Sequence, residues 1–177
     1  MSNQLKVDDK RDATDSIRGY VYQAYQSVLA WIQLKENEIL VLEGSEDLDI
    51  HRRSSVITTQ VKDVSSNLTL KSKAVVESLN NYWACCERNP KHDIRFHFLS
   101  TAEAGLERGN PFGSNIKGLE YWESAELDSV DIEPLRSFVL TLELIPSLRS
   151  FVESATDDEL REKLVGRIKW DLGNKSA

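Results

Sequence analysis

Between Ile17 and Leu34 apolar residues return at steps of three and four, and Ile17, Val21, Ala24, Tyr25, Val28, Leu29 and Ile32 form one stripe. This is the period of an amphipathic helix, with Asp15 or Ser16 placed to cap its start and the stripe expected to meet a core. Ile39 to Leu42 is a short, wholly apolar run bounded by Asn37 and Gly44, which fits a strand buried on both faces. After a tight turn at Gly44 and Ser45, Asp47-Leu48-Asp49-Ile50 alternates acid with apolar, so a second strand carries both aspartates on one face. Val56 to Val64 reads as a third strand, rich in β-branched residues. Its period of two puts Ile57, Thr59 and Val61 on a packing face and Thr58, Gln60 and Lys62 on a working face.

A second amphipathic helix runs from about Ser72 to Glu87, with Val75, Val76, Leu79, Tyr82, Trp83 and Cys86 along one side, and Asn89-Pro90 stops it. A fourth strand follows from Ile94 to Leu99, with Ile94, Phe96 and Phe98 facing inward. Helix, three strands, helix, strand is an α/β order that calls for a mixed sheet with helices packed on it. Beyond Thr101 a connector with Gly105, Gly109, Pro111 and Gly113 leads to helical patterns near 118 to 124, 132 to 144, 146 to 154 and 157 to 171. The expected organisation is a loose arm over 1–15, a core over 16–105, and a Gly-rich connector with a helical extension over 106–177.

Composition narrows the class. A chain of 177 residues suffices for one core and buries about 70% of its unfolded surface. No run approaches the roughly 20 apolar residues of a membrane span, and the polar start lacks a secretory core, so a cytosolic protein without membrane contact is expected. Cys85 and Cys86 are adjacent within a helical pattern, which suits neither a disulfide framework nor zinc spacing, and His51, His92 and His97 are scattered. The net charge of −7 weighs against a polyanion partner, but it is uneven. Residues 51 to 76 hold Arg52, Arg53, Lys62, Lys71 and Lys73 against Asp63 alone, whereas the acids concentrate between Glu120 and Glu162. Local patches govern which surface meets phosphate, so Arg52, Arg53, Lys71 and Lys73 are candidate DNA contacts.

The chemistry-bearing groups collect on the first three strands. Glu43 ends the first, Asp47 and Asp49 lie on the second, and Gln60 and Lys62 share a face of the third about 6.5 Å apart. Carboxylates are hard oxygen ligands for Mg²⁺, which takes one or two of them and fills its shell with water and substrate phosphate. A lysine beside such an ion can orient water and steady charge on the phosphate. Taken singly, these residues also fit a solvated strand face for Gln60-x-Lys62 and a turn cap for Asp47.

Arg18-Gly19-Tyr20-Val21-Tyr22-Gln23, then Glu43, Glu46-Asp47-Leu48 and Gln60-Val61-Lys62 together resemble the nuclease domain of bacterial antiviral effectors. That domain is a branch of the PD-(D/E)XK, or restriction-endonuclease-like, superfamily in which glutamine replaces the acid before the lysine. It occurs in effectors activated by cyclic oligonucleotides and at the N-terminus of antiviral STAND ATPases. The resemblance covers about residues 16 to 105. It implies Asp47 as the metal-binding acid, Gln60 as an oxygen ligand, the Val61 carbonyl as a further ligand, and Lys62 as the catalytic lysine. Glu43 is implied as a second acid, directly or through water, with Asp49 as an alternative on the face of Asp47. Gln23 lies almost opposite the apolar stripe, so the period puts it in solvent, and the resemblance alone makes it a site candidate.

The function so implied is Mg²⁺-dependent (or Mn²⁺-dependent) cleavage of double-stranded DNA in phage defence. Self-association or a linked sensor or ATPase domain is expected to control it, since no phosphate-binding Gly-Lys-Ser loop is present in the sequence. The competing readings are an inactive nucleic-acid or protein-binding module on the same fold, which the net acidity favours, and an RNase.

Overall fold

The computed structural model describes residues 14–174. The arm expected at 1–15 therefore lies, up to residue 13, outside the described residues, as do the last three of the tail. Helix α1 (Thr14–Ile32) leads into strands β1 (Ile39–Leu42), β2 (Leu48–His51) and β3 (Ser55–Lys62). Then come α2 (Lys73–Arg88), β4 (Asp93–Ser100), α3 (Gly118–Glu126), α4 (Glu133–Val139), α5 (Pro146–Ser154), α6 (Asp157–Lys163) and β5 (Ile168–Asp171). The five strands form one mixed sheet in sequence order. β1, β2 and β3 pair antiparallel, as short connections allow, while β3–β4 and β4–β5 are parallel, and α2 makes the first crossover. Among the described residues no helix is long and apolar enough to cross a membrane.

The two faces of the sheet are covered unequally. On one, Ile94, Phe96 and Phe98 of β4 and Ile168 and Trp170 of β5 join Val75, Leu79 and Tyr82 of α2 and the apolar sides of α3 to α6 in the larger core. Trp122 sits at its centre, edge-on to Trp170 and donating its indole N–H to Val165 O at 3.0 Å. On the other face α1 lies over a smaller core of Tyr22, Leu48, Val61 and Leu99, with Ala30, Leu40 and Ile50 at its margin.

Besides β1, read as buried on both faces but in fact an edge strand with Ile39, Val41 and Leu42 exposed, three expectations from the sequence are corrected. Residues 157 to 171 are not one helix. A capping box between Thr156 and Glu159 starts α6, a turn of 3-10 helix follows at Val165–Arg167, and Ile168 and Trp170 then alternate with exposed Lys169 as β5. The C-terminal half is thus no appended extension but supplies an edge strand and much of the larger core. Second, the helix read over 132 to 144 is only α4. Third, α1 is turned outward: Ile17, Tyr20, Val21, Tyr25, Val28, Trp31 and Ile32 are exposed, while Tyr22 is 1% exposed and Ser27 is also buried.

A chain ended after residue 105 is expected to lose its cooperative thermal transition and to bind a hydrophobic dye, because Phe96, Phe98 and Leu79 lose their cover. Calorimetry of the truncated chain checks this, and a sharp transition would show the first half to be self-sufficient.

Candidate functional site

The site forms where β2 begins and β3 ends. β2 starts at Leu48, opposite Thr59, so Asp47 stands in the loop just before the strand rather than on it. Beyond Thr59 the N–H of Val61 needs another acceptor, and Asp47 Oδ2 takes it at 2.6 Å. The acid is thereby fixed to the backbone between Gln60 and Lys62. Its other oxygen, Oδ1, accepts a longer bond of 3.3 Å from Gln23 Nε2, and the same amide donates to Glu43 Oε1 at 2.9 Å. Gln23 reaches them because α1 faces the sheet with its polar side.

The β1–β2 loop holds the acids close together. Glu43 takes a left-handed φ of 54°, an uncommon state for a residue with a side chain, and its N–H bonds Asp47 O at 3.1 Å. Gly44 admits no Cβ, which would come 2.3 Å from Asp49 Oδ2. That oxygen accepts the N–H of Ser45 at 2.6 Å, and Asp49 Oδ1 is buried without a partner. Asp49 thus serves the loop, and among the described residues it has no bond to Asp47, Gln60 or Lys62.

The face carrying Thr58 and Gln60 is not a free working face, since both are buried beneath α2. Gln60 Nε2 donates to Glu46 Oε2 at 3.1 Å, and Gln60 Oε1 lies 2.7 Å from Ser78 Oγ. Ser78 Oγ is also 2.7 Å from Ala74 O, and its single proton serves only one of these acceptors. If Ser78 donates to Ala74, the Gln60 amide is best served by turning over, so that Nε2 donates to Ser78. Oε1 then meets Glu46 Oε2, and two acceptors so close require a proton or a cation between them. The orientation of Gln60 is therefore coupled to what lies between it and Glu46, whose carboxyl is itself raised by burial.

Charge in the cluster is dominated by acid. Glu43, Glu46 and Asp47 against Lys62 leave a formal −2. Burial pushes the Asp47 carboxyl above its ordinary range; the Val61 N–H and the nearby Lys62 charge pull it back, and Glu43 adds to the rise. Burial likewise raises Glu46, against a hydrogen bond from Asn81 of α2 and the Lys62 charge, with Asp47 adding to the rise. Among the described residues no three His, Cys, Asp or Glu side chains converge as a metal cluster. The donors that do converge are carboxylates and an amide, hard oxygens suited to Mg²⁺, which needs one or two protein carboxylates and keeps its waters.

Asp47 is thus tied to the Val61 N–H between Gln60 and Lys62 and lies near enough to Lys62 to feel its charge, with Glu43 and Gln23 attached through one amide, whereas the Gln60 side chain reaches Glu46 and Ser78 and makes no bond to Asp47 or Lys62 among the described residues. Arg52 and Arg53 are not part of this cluster. They lie in the β2–β3 turn, about 20 Å or more along β3 from Lys62, and Arg52 Nε is held by Glu38 at 2.7 Å. Lys73 begins α2 and Lys71 precedes its cap Ser72, in the connection that leaves β3 after Lys62. Lys71 Nζ lies 5.2 Å from the Phe138 ring centre, and Lys73 is 3.6 Å from Glu77. Sequence reasoning gave no role to Glu46, Ser78 or Asn81. Ser78 left one trace, a serine inside the apolar stripe of Val75, Leu79 and Tyr82; Glu46 and Asn81 left none beyond the adjacency of Glu46 to Asp47.

A carboxyl raised by folding is stabilising while protonated: its contribution is complete below the unfolded value and is lost as pH rises through the folded one. Glu46→Gln is therefore expected to raise the melting temperature by a few degrees at about pH 7 in chelator, the gain vanishing toward about pH 4. Calorimetry across that range checks the sign. Comparison of the chain with protein-family models, with curated proteins and with solved structures gave no match.

Proposed function

We propose that this chain carries a divalent-metal-dependent endonuclease domain of the restriction-endonuclease-like kind, which hydrolyses phosphodiester bonds of double-stranded DNA as the effector of a bacterial anti-phage system. The observation that carries the reading is the bond from Val61 N–H to Asp47 Oδ2, which brings an acid from the hairpin loop to the Gln60-x-Lys62 strand. The element order and the mixed sheet support it, as does a formal −2 charge suited to a divalent ion.

In this reading Asp47 and the oxygen of Gln60 hold Mg²⁺ or Mn²⁺, with the Val61 carbonyl beside them and Glu43 or Glu46 reaching it through water. When bound, such an ion supplies positive charge against phosphate oxygens and acidifies water. Lys62, next to these acids at the end of β3, holds a positive charge and protons at Nζ where charge develops on the phosphate. Gln23 positions Asp47 and Glu43. Lys71 and Lys73, which follow β3 beyond Lys62, add positive charge for the DNA backbone.

Lys62→Ala is expected to lower Mg²⁺-dependent plasmid nicking by about 10²-fold or more with the melting temperature little changed, since Lys62 is only half-buried. Nicking by this variant at the parent rate would reject the assignment. A second reading, a binding module that has kept the fold without its chemistry, is favoured by the engagement of the Gln60 amide with Ser78 and Glu46 and by the distance of Arg52 and Arg53 from the site. In that case the parent chain cuts nothing with or without Mg²⁺.

A further inference from the structure

The apolar stripe of α1 faces away from the sheet. On a helical wheel Ile17, Tyr20, Val21, Ala24, Tyr25, Val28, Trp31 and Ile32 fall on one side, and each is exposed, Tyr20 at 72% and Trp31 at 67%. The side against the sheet carries Tyr22, Ser27, Ala30 and Gln23. Beside the stripe, Leu40 and Leu42 of β1 floor a groove of about 590 Å³ walled by Tyr20, Ala24, Val28 and Trp31, which Glu43 and Asp47 of the candidate site also line. An apolar surface so continuous is far larger than the scattered residues of an ordinary monomer face.

We propose that this stripe is the face through which two copies of the chain pair, their α1 helices antiparallel about a twofold axis near Ala24. Three observations favour a second copy as the occupant. The stripe is self-complementary: small Ala24 lies at its middle and bulky residues toward both ends, so pairing about Ala24 sets Tyr20 against Val28 and Ile17 against Trp31 of the other copy. It offers no like charge to itself. Between residues 16 and 32 the sequence has one charged residue, Arg18, which pairs with Asp63 at the edge of the smaller core. The area is also sufficient. Two largely exposed aromatics, each able to cover about 150–250 Å², with Tyr25 and the five exposed aliphatic residues reach the roughly 800 Å² per partner of a standard interface. A lipid surface fits less well, because interfacial helices set a Lys- and Arg-rich face beside the apolar one and α1 sets glutamines there.

The interface stands apart from the nuclease reading, but it bears on the same site. α1 is held to the sheet by few apolar side chains of its own, and its inner side positions Gln23 on Glu43 and Asp47. Covering the outer side in a dimer clamps the helix that clamps the acids.

Sedimentation velocity at tens of micromolar protein is expected to give a dimer for the parent and a monomer for Val21→Glu/Val28→Glu. Should that variant fail to fold, Ala24→Cys provides the second reading. Under oxidising conditions it is expected to form a covalent dimer on a non-reducing gel, and Lys91→Cys, on the distant turn before β4, is not. A monomeric parent, a dimer that persists in the folded double variant, or cross-linking at position 24 no greater than at position 91 would overturn the proposal. So would a monomeric parent that co-sediments with phosphatidylcholine vesicles, which would assign the stripe to lipid.

Discussion

Where one strand of a sheet is shorter than its neighbour, the longer strand is left with backbone donors that no ladder satisfies. β2 begins opposite Thr59, and the next inward-facing N–H of β3, at Val61, is met by a carboxylate instead of a carbonyl. The consequences spread from that substitution. Asp47 must stay in the loop, so the β1–β2 connection folds tightly enough to put Glu43 in a left-handed conformation and to leave Gly44 no room for a side chain. Gln23 must then bridge Asp47 and Glu43, which in turn requires α1 to show its polar side to the sheet.

The same arrangement gathers acidic side chains around one lysine. Asp47 and Glu46 are half-buried beside Lys62, with exposed Glu43 near by, and the carboxyls of Asp47 and Glu46 are both raised by burial. Clusters of this kind are found where charge is wanted more than stability. The structure tolerates it through hydrogen bonds from Val61, Gln23, Gln60 and Asn81, which come from α1, α2 and the end of β3.

Much of this was legible in the residues. Alternation placed Gln60 and Lys62 on one face, the Val/Leu/Tyr stripe gave α2, and the inward Ile94, Phe96 and Phe98 of β4 lie where the period of two puts them. Other features were not. A hydrophobic stripe on a helix states which residues share a side and not what lies against it; for α1 the natural inference, that the stripe meets its own core, inverted the helix. Residues 157 to 171 misled for a different reason, since a four-residue strand after a well-capped helix offers only one alternation, Ile168-Lys169-Trp170. Glu46 and Asn81 meet only through the packing of α2 over the loop, a tertiary relation with no period.

The neutrality of Gln60 follows from what surrounds it. A carboxylate at that position would face Glu46 at hydrogen-bond distance and Ser78 on its other side, with only acceptors to offer, and would have to trap a proton whenever no cation was near. A primary amide presents its donor to Glu46 and its acceptor to Ser78. The residue thus adds no charge of its own beside Glu46, and it links the loop to α2 through one donor and one acceptor.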